Sequence, residues 1–342
     1  MKERKVTIRD IAAEAGVHYT TVSRALAGHP KLPTSTIERI RKIADKLGYV
    51  PDPMLSALTA YRTRQGPRSY QGNLAWVTNG HTADELEAHE IFNLYHDGAK
   101  KRAAELGYAL EKFWLRAEDM TPKRAGNILA ARNIRGLLIC PQPKTGERID
   151  LDWSLFSAVT FGYTLGWPSL HTVASHAFRA LVITVDSVRA LGYERIGFAL
   201  PKDRDARTFH LWSGAFLACQ QHWPKKIRVP LYCPKDFEEK GFIRWVERYK
   251  PEVVISSYNE LIDVLEKHGY SIPKDIGFAS PSLVTHKRKV SGIDESSHKM
   301  GEAAVDILVG MLHRNDRGIP AVPQYLLIEG AWKAGTTLKK RI

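Results

Sequence analysis

Cysteine is scarce in this 342-residue chain: Cys140, Cys219 and Cys233 are its three. They lie far apart with no Cys-x-x-Cys pair, which argues against a disulfide framework and a zinc site. Long apolar runs are missing as well. No window approaches the ~18 uninterrupted apolar residues of a spanning helix. The opening stretch, MKERKVTIRDIAAEAGV, has no apolar core of the kind a signal peptide carries. A cytoplasmic protein with no membrane partner is expected. Catalytic signatures are equally thin. No Gly-x-Gly-x-x-Gly follows a strand, and neither a phosphate-binding Gly-x-x-x-x-Gly-Lys-Ser/Thr nor a Gly-x-Ser-x-Gly elbow occurs. His89-Glu90 opens like a zinc-protease helix, but position 93 is Asn93. The 13 histidines form no ligand-spaced cluster. No enzyme, metal site or cofactor is expected, and Glu85, Glu87, His89 and Glu90 read as a solvated helix face.

What is present is an ordinary globular composition, 44% hydrophobic and 25% charged, with length for two or three domains. Positive charge is unevenly placed. Residues 1–64 hold 12 Lys and Arg against 6 Asp and Glu, a surplus of 6; the remainder holds 38 against 31, a surplus of 7. Nearly half the net charge of +13 thus sits in under a fifth of the chain. A compact basic module favours a polyanion, because Lys and Arg displace counterions from phosphate.

That module has a helical pattern. Ile8, Ile11, Ala12 and Ala15 form one stripe, with Thr7 and Asp10 placed to cap its start and Gly16 to end it. After His18 a second helix is predicted over about Tyr19–Leu26, with Val22 and Leu26 turned inward and Gly28 and Pro30 stopping it. Ile37, Ile40, Ile43, Ala44 and Leu47 form a third stripe, ending at Gly48. Two short helices across a glycine turn, covered by a third, are helix-turn-helix geometry. The second helix would expose Tyr19, Thr20, Thr21, Ser23 and Arg24, short hydrogen-bonding groups plus one forked donor, suited to base edges in a major groove. A three-helix cap serving protein contacts has the same pattern.

The run TIRDIAAEAGVHYTTVSRALAG, followed by TIERIRKIADKLGYVPDP, resembles the lactose/galactose-repressor (LacI/GalR) family of bacterial regulators. Ala-x-x-Ala-Gly-Val, Thr-Val-Ser-Arg-x-Leu and Leu-Gly-Tyr-x-Pro occur in order at the family's spacings over residues 6–53. The resemblance implies that the helix from Tyr19 reads DNA. Tyr19, Thr20 and Arg24 match base-reading positions, and Thr7, Thr21, Ser23 and Thr36 match phosphate contacts. Lys31 is added to the DNA-binding set, and His18 stands where the family has a serine cap. It also implies that Met54, Leu55, Leu58 and Tyr61, at helical spacing after Pro51-Asp52-Pro53, belong to a hinge helix that orders on the operator. Leu58 matches the leucine that wedges into a minor-groove base step.

From Gly72 onward, apolar runs alternate with amphipathic stretches. Strands are predicted at Leu74–Thr78, Tyr108–Trp114, Gly136–Cys140, Ala158–Gly162, Arg195–Leu200, Val253–Ser256 and Ile276–Ala279. Helices are predicted at Glu90–Leu106, His176–Leu191, Leu211–His222, Phe237–Tyr249 and Leu261–His268. Such alternation indicates doubly wound parallel sheets, and the length suits two lobes. The resemblance implies a periplasmic-binding-protein-like α/β sensing domain behind the all-α helix-turn-helix domain, with a ligand between the lobes. The expected boundaries are 1–50 for DNA binding, 51–65 for the hinge and 72–338 for sensing. The N-lobe would take 72–172 and 292–322, the C-lobe 173–290 and 323–338, with crossovers near 171–174, 288–294 and 321–324.

Departures from the family gather in the cleft. Ser175-His176 stand for Asp-Asn, Leu211 for the effector-binding arginine, and Ala279 for an aspartate. Ligands sit beyond the carboxyl ends of such strands, so Asn79, His81, Phe161, Tyr163, Ser175, His210, Trp212, Tyr258 and Asn259 are the candidate ligand residues. Either the ligand is unusual for the family or the cleft has lost sensing. The reading is a ligand-responsive regulator, more readily a repressor. It would bind a palindromic double-stranded operator as a homodimer and answer to a small-molecule effector such as a carbohydrate. The tail after Trp332 lacks heptads for a tetramerising coil. A solute-binding protein and a DNA binder of low specificity are the alternatives.

Overall fold

The computed structural model describes residues 6–26, 32–49, 70–83, 85, 89–284 and 287–341. Gly28, Pro30, Lys31 and the whole expected hinge, Leu58 included, lie outside the described residues.

Three helices open the chain: α1 (Ile8–Ala15), α2 (Tyr19–Leu26) and α3 (Thr34–Lys46). Thr7 and Asp10 close a reciprocal capping box on α1, the Thr7 side chain taking the Asp10 N–H while the Asp10 carboxylate takes the Thr7 N–H at 2.8 Å. Gly16 ends α1 at φ 64°, a left-handed turn that costs glycine least. Ile11, Ala12, Ala15, Val22, Ala25, Ile40 and Ala44 form the buried core. The inward pair of α2 is therefore Val22 and Ala25, three residues apart. Leu26, expected inward, is only partly covered, because the small Ala25 lets the helices approach.

The six-stranded sheet of the N-lobe has the order β12-β7-β5-β3-β1-β2, all parallel. Its strands are β1 (Gly72–Thr78), β2 (Tyr108–Trp114), β3 (Gly136–Ile139), β5 (Ser157–Phe161), β7 (His171–Ser175) and β12 (Tyr325–Ile328). A small pair, β4 (Glu147–Arg148) and β6 (Leu165–Trp167), lies outside it. β1 is buried on both faces, as its unbroken apolar run requires. Leu74 and Trp76 pack beneath α4 (Glu90–Glu105) and α11 (Ser297–Arg314), and Ala75 and Val77 pack beneath α5 (Pro122–Ala131).

The C-lobe sheet has the order β13-β11-β10-β9-β8, from β8 (Ile196–Phe198), β9 (Val253–Ile255), β10 (Gly277–Ser280), β11 (Ser291–Asp294) and β13 (Ala331–Lys333). Helices α6 (Ala177–Ala190) and α8 (Leu211–Gln221) cover one face; α9 (Glu239–Tyr249) and α10 (Glu260–Lys267) cover the other. The five-residue α7 (Lys202–Ala206) follows β8.

The chain passes between lobes after Ser175, Asp294 and Ile328. The first lies one residue beyond the expected 171–174, the second at the end of the expected 288–294 and the third four residues beyond 321–324, because β7, β11 and β12 each finish pairing in their own sheet before leaving it. The N-lobe therefore takes in β7 and β12, which the expected boundaries divided or gave to the C-lobe. Direction of travel also explains the one antiparallel pair. β7 and β12 both leave the N-lobe and run parallel, whereas β11 leaves the C-lobe and β13 enters it, so that pair is antiparallel. Among the described residues no helix is long and apolar enough to cross a membrane.

Candidate DNA-reading face and interlobe cleft

The outward face of α2 is polar by construction. With Val22 and Ala25 inward, Tyr19 (49% exposed), Thr20, Ser23 and Arg24 point to solvent, and Thr21 is half-buried. Spacing of four residues sets Thr20 beside Arg24 and Tyr19 beside Ser23. Arg24 has no hydrogen bond or ion pair to the described residues, so its five N–H donors are open. Thr7 is tied into its capping box, and Thr36 is half-buried in the first turn of α3.

His18 is the cap of α2. Its Nδ1 accepts the Thr20 N–H at 3.4 Å and lies 2.8 Å from the Thr20 hydroxyl. A backbone N–H can only donate, so in this contact Nδ1 is the acceptor. An imidazole nitrogen thus does what a serine hydroxyl does at this position. His18→Ala is expected to cost about 1 kcal/mol of helix stability, and His18→Ser to stay within a few tenths of the parent. Amide hydrogen exchange at Thr20 and Thr21 checks this; equal protection in all three proteins would remove the cap from the account.

In the cleft, the N-lobe side is a closed polar network. Arg116, just past β2, donates from Nε to Asn79 Oδ1 at 3.1 Å and from Nη2 to Glu147 at 3.2 Å, and its Nη1 lies 3.0 Å from His81 Nδ1. Asn79 Nδ2 donates to Gln142 Oε1 at 3.0 Å, and Gln142 Nε2 donates to Cys140 O at 2.6 Å. Asn79 is buried and spends its amide on protein partners. Phe161 is not a cleft residue at all. It is 1% exposed and packs in the N-lobe core against Trp76 and Tyr95, because its strand position turns it toward α4 and α11.

The C-lobe side is less saturated. Asp205, 2% exposed, clamps the loop after α7: it accepts from the Ser213 hydroxyl at 2.7 Å and lies 2.8 Å from His210 Nδ1. Phe209 (φ 55°) and His210 (φ 59°) are consecutive left-handed residues, a strained arrangement of the kind found at ligand clamps. Phe209 reaches across to Tyr163, with ring centroids 6.3 Å apart, and Arg207 Nη1 donates to Pro143 O at 2.9 Å. Asn259 is 3% exposed, yet neither its Oδ1 nor its Nδ2 has a partner among the described residues. The same holds for Nε1 of Trp212, but that side chain, 6% exposed, packs in the C-lobe core with Leu181, Val185 and Phe216 and does not line the cleft. Arg204 lies 5.0 Å over the ring of Tyr258.

Ser175 serves a third feature. It and Ser282 hydrogen-bond the buried carboxyl of Glu295, Ser282 at 2.9 Å, joining the first crossover to the second. Burial pushes Glu295 above the usual carboxylate value, and the two serines pull it only part of the way back. A raised native value means the folded state holds the proton more tightly. That contribution is full below the unfolded carboxyl's value and is lost as pH rises through the native one. Glu295→Gln keeps the shape without the charge. It is expected to raise Tm near neutrality and flatten its fall with rising pH, at about 2–4 °C per kcal/mol. An unchanged Tm-against-pH profile in calorimetry would contradict this.

Arg204, Arg207, Arg116 and Glu295 were missed as cleft residues. The available signal was Lys202-Asp203-Arg204-Asp205-Ala206-Arg207, a charged run directly after a strand's carboxyl end. Among the described residues no group of three or more His, Cys, Asp or Glu could hold a metal ion.

Residues 7–52 match the family model of bacterial regulatory proteins, lacI family, and residues 185–332 match that of a periplasmic binding protein-like domain. The chain is 24% identical over 324 residues to the HTH-type transcriptional regulator GalR of Streptococcus thermophilus, covering 88% of this chain and 91% of the relative. Two solved structures share the fold. A transcriptional regulator CelR–cellobiose complex matches at a TM-score of 0.56 and 18% identity, covering 97% of this chain and all of the other. The lac repressor dimer bound to operator and the anti-inducer ONPF matches at 0.55 and 18%, covering 98% and 100%.

Proposed function

We propose, from the premise that this chain is a DNA-binding transcription regulator of the lacI family, that it binds a palindromic operator as a homodimer and releases or grips it in answer to a small polar effector between its lobes. The observation that carries the DNA-reading part is the face of α2. It is a capped helix whose exposed groups, Tyr19, Thr20, Ser23 and Arg24, are hydrogen-bonding side chains, with the arginine free of any protein partner among the described residues. Arg24 would take a guanine through two parallel N–H bonds. Thr20, too short to span an adenine edge, would meet a thymine methyl or a phosphate. A twofold dimer places two such helices in successive major grooves, about one helical turn apart. Leu58 would enter the minor groove between them.

The effector part is supported by the orphaned amide of Asn259 and by the contacts of Arg207 and Phe209 between lobes. A ligand there shifts the lobes, and through them the spacing of the DNA-binding domains. Operator and effector affinities are then coupled reciprocally, typically by about 1–3 kcal/mol. Selection from randomised duplex DNA on the purified chain tests the reading. An enriched palindrome bound about 10³-fold or more above random DNA is the expected result. Uniform binding that collapses with salt would overturn sequence-specific recognition and favour a nonspecific DNA binder.

A further inference from the structure

Hydrogen-bond accounting across the cleft is lopsided. The carboxylates at hand are mostly committed: Asp205 to His210 and Ser213, Glu147 to Arg116, Glu295 to two serines, and Glu85 to the His81 N–H. Asp203, on α7, lies close enough to Arg207 to influence it but forms no ion pair with it among the described residues. The donors are the opposite. Arg207 spends one of its five N–H groups, on Pro143 O. Arg204 spends none among the described residues and lies 5.0 Å over the ring of Tyr258, which leaves its N–H groups open. The amide of Asn259, next to Tyr258, is buried without a partner among the described residues. A neutral sugar needs acceptors for its hydroxyl protons as much as donors for its oxygens. A phosphate or carboxylate offers acceptors alone.

Charge points the same way. A guanidinium held partly out of water without a counter-charge is costly, and a second one nearby adds repulsion. Burial first, and then the charge of Arg204, push Arg207 below the usual arginine value. Their field reaches the other lobe. His89, at the start of α4, is pushed down by burial and then by the charges of Arg207 and Arg204. The Asp205 clamp ties down the loop that follows Arg207, whose side chain is half-buried and bonded to Pro143 O, while Arg204 is exposed over the ring of Tyr258. An anion between the lobes would turn each of these repulsions into an attraction.

We propose that the effector of this chain carries a phosphate or a carboxylate, and that Arg204 and Arg207 bind that group beside Asn259. The inference rests on the reading of the cleft as an effector site and names the chemical class of its ligand. Bidentate guanidinium contacts are the strongest available to such a group.

Calorimetric titration of the full chain tests it, with glucose 6-phosphate, 6-phosphogluconate, gluconate, galacturonate and inorganic phosphate set against glucose and galactose. At least one sugar anion is expected to bind about 10-fold or more tighter than its neutral parent, and the phosphorylated and carboxylated arms tell which group is read. Arg204→Gln, at an exposed position, and Arg207→Gln are each expected to lower that affinity by about 10- to 100-fold, as loss of a charged hydrogen-bond partner does. Any binding of the neutral sugars should fall by less than that of the anions. Glucose or galactose bound as tightly as the anions would overturn the charge assignment and leave the effector cleft standing. So would an anion preference that survives in both variants. No anion bound up to about 10 mM, where even a millimolar complex registers, overturns it as well. Operator affinity without ligand, measured on the same samples, separates the two readings: a chain that selects its palindrome but ignores anions loses only this inference.

Discussion

Arg24→Ala is expected to weaken binding to the selected operator by about 5- to 150-fold, the 1–3 kcal/mol of one bidentate arginine–base pair. Affinity for random duplex should fall far less. The asymmetry is the point of the test, because an arginine that only neutralises phosphate lowers both affinities together and shallows the salt dependence. Arg24 is exposed on α2 and free of partners among the described residues, so its removal should leave the three-helix core of Ile11, Val22, Ala25 and Ile40 intact. Arg24→Lys keeps the charge without the fork, and is expected to recover random-DNA binding but only part of the discrimination. Anisotropy titrations at two salt concentrations distinguish these outcomes. Equal losses on operator and random DNA would make Arg24 a phosphate contact.

Gly301→Ala is expected to cost about 3 kcal/mol or more, lowering Tm by about 6–12 °C. Helix propensity alone predicts the opposite sign, since alanine is better than glycine inside a helix by about 1 kcal/mol. Packing decides. Helices α4 and α11 cross through paired glycines. A Cβ on Gly301 would meet Tyr95 O at 2.0 Å, and one on Gly98 would meet His298 O at 2.0 Å. Backbone cannot step aside as a side-chain end can, so the helices would have to separate over Tyr95, Ala99, Met300 and Ala304, all in the N-lobe core. Gly214, exposed on α8, is the control: a Cβ there meets nothing within 4 Å. Gly214→Ala is therefore expected to stabilise by up to about 1 kcal/mol. Scanning calorimetry of both variants checks the pair, and a Gly301→Ala protein as stable as its parent would mean that the two helices are not in backbone contact.

The helix-turn-helix was legible because its signals are local. The Thr7–Asp10 box, the Gly16 turn and the apolar stripe of α1 each lie within a few residues, and the helix bounds Ile8–Ala15 and Tyr19–Leu26 follow from them. The exchange of Leu26 for Ala25 in the core was not legible, since both fit the stripe and only the closeness of the neighbouring helix chooses the smaller. β2, Tyr108–Trp114, matches its expected bounds to the residue. β7, written His-Thr-Val-Ala-Ser, falls on the expected crossover at 171–174, and the exposed β12 falls in the residues expected for the C-lobe, because their pairing partners lie far off in sequence and their own patterns are weak.

The cleft divides along the same line. Tyr163, Tyr258 and Asn259 could be picked out at strand ends, where parallel sheets of this kind put ligands. Which of them have free polar atoms could not, because the partners that occupy Asn79 come from Arg116 and Gln142, and the partner that occupies Ser175 is Glu295. What the sequence determined by itself is the pair of modules and the exposed polar face of α2, built from periodicity, caps and turns that need no distant neighbour. Tertiary structure alone decided the antiparallel β13, the glycine crossing of α4 and α11, and the donor-rich cleft. Each depends on groups brought together from far apart in the chain, so desolvation, steric fit and the balance of charge there are settled only when the lobes meet.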